Sequence, residues 1–301
     1  MRAVVLHETG DADQLRVEEV PRPDEPRMRV GAAGVNFLDV LVRQGRYPQP
    51  PPLPTVPGIE VAGDLAGKRV VALLRQTGGG YAEQAEVDPA WVFPLPDTAT
   101  YEEGAAFLMT FLTAWIPLHH VGIRPGATVL VHAGAGGVGT AAIQVARHLG
   151  ARVVATASTE EKRALARELG AQETYGYDEF VGAVRADVVL DPVGGEIFEQ
   201  SIGVLTPLGT AIAVGYAAGL WKPLDTQLLV GRNVAAFGFY LGRLMKLAPG
   251  RVHEAANEVL ELWRTRDVRP IVGATFPLDH APDAHRLIED RRHIGKVVLV
   301  P

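Results

Sequence analysis

The sequence predicts an α/β chain in which a doubly wound parallel sheet interrupts a smaller, β-rich domain. Three observations carry this. Residues 128–150 read as strand, glycine turn and helix in immediate succession. Apolar runs and helical stretches then alternate to about residue 267, the pattern of a sheet built from βαβ units. Short strand-like runs broken by Gly and Pro fill both ends of the chain.

Taken in order, Arg2–Leu6, Leu15–Val20, Met28–Val35, Arg69–Leu74, Tyr81–Val87 and Trp91–Pro94 are expected strands. Residues 35–44 are an expected helix and 47–57 a proline-rich loop. Residues 101–119 form one apolar helical stretch. The strands of the parallel sheet are expected at 128–132, 152–156, 173–175, 187–191, 209–214 and 234–238. An amphipathic helix follows at 252–264, with Val252, Ala256, Val259 and Trp263 on one face. After Pro270 the pattern reverts to a helix at 281–290 and a strand at 297–300, most simply rejoining the first domain. The expected organisation is therefore a discontinuous domain, 1–96 with 268–301, around a nucleotide domain, 97–267, with the active site in the crevice between them.

The central stretch is TVLVHAGAGGVGTAAIQVARHLG. Thr128 to His132 is a continuous apolar and β-branched run, as buried parallel strands are. Gly134 to Gly139 spells G-x-G-x-x-G. Gly134 permits the tight turn, Gly136 lets backbone approach a pyrophosphate, and Gly139 lets helix and strand pack closely. Gly137 and Val138 complete the turn and open the helix, whose first N–H groups and dipole then face an anion. Dinucleotide binding is the expectation.

The second strand of that sheet ends at Ser158. An enzyme that uses NAD usually carries a carboxylate there, about 20 residues past the glycines, for the ribose hydroxyls. A small hydroxyl instead, with Lys162 and Arg163 one turn later, suits a 2′-phosphate and points to NADPH. The same residues are also read as a helix start, with Ser158 as N-cap, Glu161 as its capping-box partner and the cations on a solvated face. The two readings are compatible.

Composition excludes several classes. A net charge of −6 argues against nucleic-acid or anionic-membrane partners. No apolar run reaches the ~20 residues of a membrane span, and MRAVVLHETG lacks a signal-peptide layout, so a cytoplasmic location is expected. With no cysteine in 301 residues, disulfides, thiolate chemistry and cysteine-bound zinc are all absent.

Seven segments, in order, carry a family resemblance: GVNFLDVLVRQGRYP (34–48), PGIEVAG (57–63), GGYAE (79–83), FLTAW (111–115), HAGAGGVG (132–139), LDPVGG (190–195) and GKVVLVP (295–301). Together they resemble the zinc-free quinone oxidoreductase (zeta-crystallin-like) branch of the medium-chain dehydrogenase/reductase superfamily. The resemblance covers nearly the whole chain, with a shortening after Gly63. It implies a Rossmann domain and a GroES-like catalytic domain, NADPH as cofactor, a quinone or other conjugated acceptor as substrate, and a homodimer paired through the nucleotide domains, for which 234–238 is the candidate edge.

Carried over residue by residue, the resemblance puts Ser158, Lys162, Tyr177 and Arg291 at the 2′-phosphate. Thr113 and Gly215 fall near the nicotinamide, and Asn36 and Tyr47 at the substrate mouth. Leu41 and Ile59 stand where relatives have tyrosine and threonine, which makes the pocket more apolar. Zinc-dependent relatives place a Cys at Asn36 and a His at Ile59. Glu60 alone is no tetrahedral site, so no catalytic zinc is expected. Lacking a Lewis acid for an alkoxide, such a site suits acceptors that delocalise the incoming charge.

Two readings of Asn36 stay open: a hydrogen bond to a substrate carbonyl, or a turn held through its own backbone. Tyr47 is either a donor to the acceptor or a rim aromatic. Asp39 and Arg43 are expected to pair at i,i+4, His132 to be a hydrogen-bonded core residue, and Asp191 to hold a turn. No strong catalytic acid or base is identified. Two alternative functions remain: a double-bond reductase for enones or enoyl thioesters, and a non-catalytic NADPH-binding protein of crystallin type.

Overall fold

The computed structural model describes residues 1–75, 78–219 and 222–301. It divides into two compact units, Met1–Met109 with Pro270–Pro301, and Thr110–Arg269.

The first leg of unit 1 runs β1 (Arg2–Leu6), β2 (Leu15–Glu19), β3 (Arg27–Val35), α1 (Phe37–Arg43), β4 (Glu60–Leu65), β5 (Lys68–Leu73), β6 (Gln84–Glu86), β7 (Val92–Pro94) and α2 (Tyr101–Ala105). Strand β4 is absent from the sequence reading, because Ala62 and Gly63 have little strand propensity. Gly63 is needed there: a Cβ on it would lie 2.0 Å from the Arg29 carbonyl oxygen of β3. The expected strand 81–87 shrinks to β6, since Tyr81 turns into the core against Gly58.

The single helix expected over 101–119 is two helices. Thr100 and Glu103 cap α2 reciprocally, Thr100 N–H to Glu103 Oε2 at 2.9 Å and Glu103 N–H to Thr100 Oγ1 at 3.2 Å. Helix α2 then lies on β3 and β4, with Gly31 under the Tyr101 ring and Gly104 against Ala62. Residues 97–109 therefore belong to unit 1, not to the nucleotide domain as expected.

Unit 2 holds most of α3 (Leu108–His120), then β8 (Thr128–Val131), α4 (Gly137–His148), β9 (Arg152–Thr156), α5 (Glu160–Glu168), β10 (Glu173–Tyr175), β11 (Ala186–Asp191), α6 (Gly195–Val204), β12 (Leu205–Ala213), α7 (Thr226–Arg232), β13 (Ala235–Gly238), α8 (Leu241–Leu247) and α9 (Pro249–Arg264). The strands β10-β9-β8-β11-β12-β13 form one sheet, and every pairing in it is parallel. Numbered within the sheet this is 3-2-1-4-5-6, the doubly wound Rossmann order, which reverses between β8 and β11. Leu130, Val154, Val189 and Ala211, one from each central strand, share a core with Ile202 of α6.

The chain then returns to unit 1 as β14 (Val272–Pro277), α10 (Ala281–Glu289) and β15 (Lys296–Val300). Strand β15 pairs parallel with β14 and antiparallel with β3, Val297 opposite Val35 and Leu299 opposite Ala33. The tail is thus part of the sheet β14-β15-β3-β4-β5-β7, to which β6 adds through β3; β1 and β2 form a separate pair.

Candidate active site

In unit 2 the glycine turn stands at the carboxyl end of β8, beside the point where strand order reverses. Ala133 takes a left-handed conformation (φ 50°) that folds the chain back. Gly134 N–H donates to Thr156 O of β9 at 2.9 Å and Gly136 N–H to Ala133 O at 2.8 Å. Gly136 is the N-cap of α4 and has no side chain with which to cap it. The first-turn N–H groups of Gly137, Val138 and Gly139 have no acceptor within the helix, which leaves them as donors to an anion. Gly139 makes the close helix–strand approach possible: a Cβ on it would sit 2.0 Å from Ala133 O. This cradle fits a dinucleotide pyrophosphate.

His132 lies beneath the turn, fully buried. Its Nδ1 is 2.8 Å from Thr156 Oγ1 and its Nε2 2.8 Å from Ser201 Oγ. Ser201 gives its only hydroxyl proton to Ile197 O at 2.6 Å. Nε2–H must therefore donate to Ser201, and Nδ1 accepts from Thr156. The ring ties β8, β9 and α6 together, and burial pushes its pKa down to about 3. Asp191, at the end of β11, accepts from Val193 N–H at 2.5 Å and Gly194 N–H at 3.1 Å, a turn role as expected. Burial raises its carboxyl to about 6 against those hydrogen bonds. A Cβ on Gly215, after β12, would come within 3.0 Å of Pro192 O, so two loops meet closely there. Thr113 is buried on α3.

At the tip of β9 the helix start differs from expectation. Thr159, not Ser158, is the N-cap of α5, its Oγ1 accepting from Lys162 N–H at 3.3 Å. Ser158 stands one residue earlier and is exposed. Arg163 is committed elsewhere, through Nε to Glu160 at 3.0 Å and Nη1 to Ala157 O at 3.4 Å. Lys162 is half-buried, and desolvation lowers its ammonium pKa. Tyr177 lies near the turn, its ring centroid 6.4 Å from that of His132. Arg291 belongs to unit 1, exposed and left-handed (φ 55°) just after α10.

In unit 1, Asn36 is the half-buried N-cap of α1. Its N–H donates to Asp39 Oδ2 at 2.8 Å, and its Oδ1 accepts from Lys296 Nζ at 2.5 Å. Lys296 also pairs with Glu60 at 2.9 Å, both side chains almost fully buried. Burial raises the Glu60 carboxyl pKa, and the Lys296 charge opposes that rise. Tyr47 is half-buried against the core of unit 1, as a rim aromatic would be. Leu41 and Ile59 are buried, and Ile59 lines a small cavity with Leu38, Asp39 and Gly58.

The i,i+4 pair expected between Asp39 and Arg43 is not what these residues form. Asp39 accepts from Tyr81 OH at 3.1 Å, Tyr81 OH is 3.3 Å from His285 Nε2, and Arg43 reaches Glu289 at 2.6 Å and Gly10 O at 2.7 Å. All four of Asp39, Arg43, Tyr81 and His285 are buried. Desolvation decides their protonation: Asp39 is raised to about 6, and His285 is lowered to about 3 with the Arg43 charge adding to the effect.

These shifts predict a pH response. His132 and His285 are neutral when folded, so their stabilisation is complete above the ordinary histidine value of about 6.5 and is lost toward pH 3, at about 1.4 kcal/mol per unit each. Asp39 and Asp191, raised to about 6, act in the opposite sense between pH 6 and the ordinary 3.8. The four nearly offset there. Asp191→Asn removes one offsetting group, so its urea midpoint should fall more steeply than the wild type's from pH 6 to 4. Parallel curves would contradict the raised carboxyl.

The donor set does not fit a catalytic zinc. Ile59 offers no lone pair, Asn36 is bound to Lys296, and Glu60 already holds an ammonium. Among the described residues no three His, Asp or Glu side chains cluster as a metal site, and no helix is long and apolar enough to cross a membrane.

Comparison with known proteins agrees with this architecture. The alcohol dehydrogenase GroES-like domain family matches residues 22–97 and the zinc-binding dehydrogenase family residues 137–261. A quinone oxidoreductase-like protein 2 homolog of Nematostella vectensis is 31% identical over 99% of this chain and 88% of its own length. The chain belongs to the zinc-free quinone oxidoreductase branch of the medium-chain dehydrogenase/reductase superfamily. The quinone oxidoreductase of Thermus thermophilus, solved alone and with NADPH, has a TM-score of 0.89 and 40% identity over 100% of both chains. A mycobacterial protein complexed with NADPH gives a TM-score of 0.91 and 33% identity, again over 100% of both chains. The GroES-like match falls within unit 1 and the dehydrogenase match within unit 2.

Lys296 is the residue that sequence reasoning missed. Its segment, GKVVLVP, carries part of the resemblance, but only the pairing of β15 with β3 brings it to Asn36.

Proposed function

We propose that this chain is an NADPH-dependent quinone oxidoreductase that works without a metal ion. The observation that carries the reading is the tip of β9. A cradle for pyrophosphate is followed there by Ser158, a free-standing small hydroxyl rather than a carboxylate, with the half-buried Lys162 on the next turn. An acid at that position would repel a 2′-phosphate. The Thermus relative, crystallised with NADPH, supports the same choice.

NADPH, when bound, supplies a hydride equivalent. The residues of this chain hold and orient. The first-turn N–H groups of α4 hold the pyrophosphate, while Ser158, Lys162 and Tyr177 hold the 2′-phosphate. Thr113 and Gly215 border the nicotinamide. Asn36 hydrogen-bonds the acceptor's carbonyl oxygen and Tyr47 borders the substrate mouth, with Leu41 and Ile59 contributing apolar surface. A quinone spreads the arriving negative charge over its own ring, so a few hydrogen bonds and a solvent proton complete the reaction. Edge strand β13 and the exposed Leu208, Val230 and Leu247 suit pairing with a second copy of the chain, which a solution mass measurement would test.

The test is steady-state NADPH oxidation against quinones, enones and aldehydes, with metal content assayed in parallel. Quinone turnover without stoichiometric metal is expected. Tight NADPH binding with no turnover of naphthoquinones or phenanthrenequinone would favour a non-catalytic role. Enone reduction abolished by Tyr47→Phe would favour a double-bond reductase, whose chemistry needs a proton delivered to carbon.

A further inference from the structure

Lys296 opens β15 with only 5% of its surface exposed, unusual for a group so strongly hydrated. Its ammonium bridges Glu60 Oε2 at 2.9 Å and Asn36 Oδ1 at 2.5 Å. The second oxygen of Glu60 accepts from Met109 N–H at 2.8 Å, which fixes the carboxylate. Gly34 makes room for the pair: a Cβ there would lie 2.9 Å from Glu60 Oε2 and 3.2 Å from Lys296 Cε. Glu60 leaves the buried pair without net charge, while its positive end faces Asn36.

An ammonium donates and never accepts. The atom of Asn36 that meets it must be the oxygen, so the amide has one permitted orientation, with Nδ2 turned away from Lys296. One Nδ2 hydrogen reaches toward Gly34 O at 3.4 Å. The other lies within reach of the Glu60 carboxylate, which the Asn36 side chain also hydrogen-bonds, and a carbonyl acceptor takes it in competition. A charged donor on Oδ1 also draws density out of the amide nitrogen and strengthens Nδ2–H as a donor.

We propose that Lys296 is a positioning residue for the reduction, orienting and polarising the Asn36 amide as the donor to the acceptor's carbonyl oxygen. This rests on the reductase reading above and on Asn36 as the acceptor's partner. The charge that a metal would place at the oxygen is supplied indirectly, by a buried ammonium acting through one amide. Preorganised donors of this kind act where charge develops, so they raise kcat more than they tighten substrate binding.

The chain has only three asparagines, Asn36, Asn233 and Asn257, so selective side-chain ¹⁵N labelling gives three amide pairs, assigned with Asn36→Ala. In Lys296→Met the Asn36 pair should shift while those of Asn233 and Asn257 stay in place. Quinone kcat should fall about tenfold or more, with KM and NADPH affinity within about twofold. Lys296→Arg should restore most of the loss. Should Lys296→Met fail to fold, Glu60→Gln with Lys296→Gln removes both charges and is read in the same way. An Asn36 pair that keeps its wild-type position in a folded variant overturns the proposal, and so does a loss confined to KM. A wild-type enzyme that binds NADPH but reduces no quinone refutes the reductase reading instead, and the amide spectrum still decides the orientation of Asn36.

Discussion

Gly139→Ala should cost the protein its cofactor while leaving most of the sheet intact. The added methyl would lie 2.0 Å from Ala133 O, 2.7 Å from Ala133 C and 2.8 Å from Gly134 Cα. All three are backbone atoms, so no rotamer change relieves the contact. Ala133 is already left-handed and its carbonyl accepts from Gly136 N–H at 2.8 Å. The first turn of α4 must lift away from that carbonyl, which breaks the bond and misaims the N–H groups of Gly137 and Val138. The expected loss of NADPH affinity is at least about 100-fold, or roughly 3 kcal/mol, with about 1–3 kcal/mol of stability lost to overpacking. Fluorescence titration with NADPH and a thermal melt check the two parts. Gly136→Val separates ligand from backbone. Gly136 has φ −80° and ψ 172°, which any residue adopts, so valine adds no backbone strain while its side chain fills the pyrophosphate approach. NADPH and NADH should both be lost in a variant of nearly normal stability. Unchanged affinity in either variant would remove the turn from the site.

What could be read from the sequence was local. The strand–turn–helix of the glycine loop spans one contiguous run, and its spacing alone states its geometry. The missing zinc ligands were equally plain, because an isoleucine and an empty cysteine count need no coordinates. Errors fell where small residues let two elements touch. Strand β4 hides behind Ala62 and Gly63, and the docking of α2 through Gly31 and Gly104 moves residues 97–109 into unit 1. Buried polar pairs were the least legible. Arg43 lies four residues from Asp39, yet it turns to Glu289 on α10, while Asp39 faces Tyr81. Asn36 meets Lys296 across 260 positions. No periodicity reports a partner brought by a strand that the chain makes last.

Lys162→Ala should separate the two cofactors. A 2′-phosphate carries close to two negative charges and is held by charge-assisted hydrogen bonds. Losing one such contact should weaken NADPH by roughly 1–2 kcal/mol, about 5- to 30-fold. NADH has a hydroxyl in place of that phosphate and should change by no more than about twofold. Arg163→Ala is the control, since its guanidinium is engaged with Glu160 and Ala157 O and should distinguish the cofactors little. Introducing a carboxylate by Ser158→Asp should reverse the preference outright, because the new charge repels the phosphate and can accept from the ribose hydroxyls of NADH. Raising the salt concentration should narrow the NADPH advantage in the wild type, since Ser158 is exposed and charges near it are screened over about 8–10 Å. Dissociation constants for both cofactors across these variants decide the matter. Equal weakening of NADPH and NADH in Lys162→Ala would show that this cation stabilises the loop around the site rather than reads the phosphate.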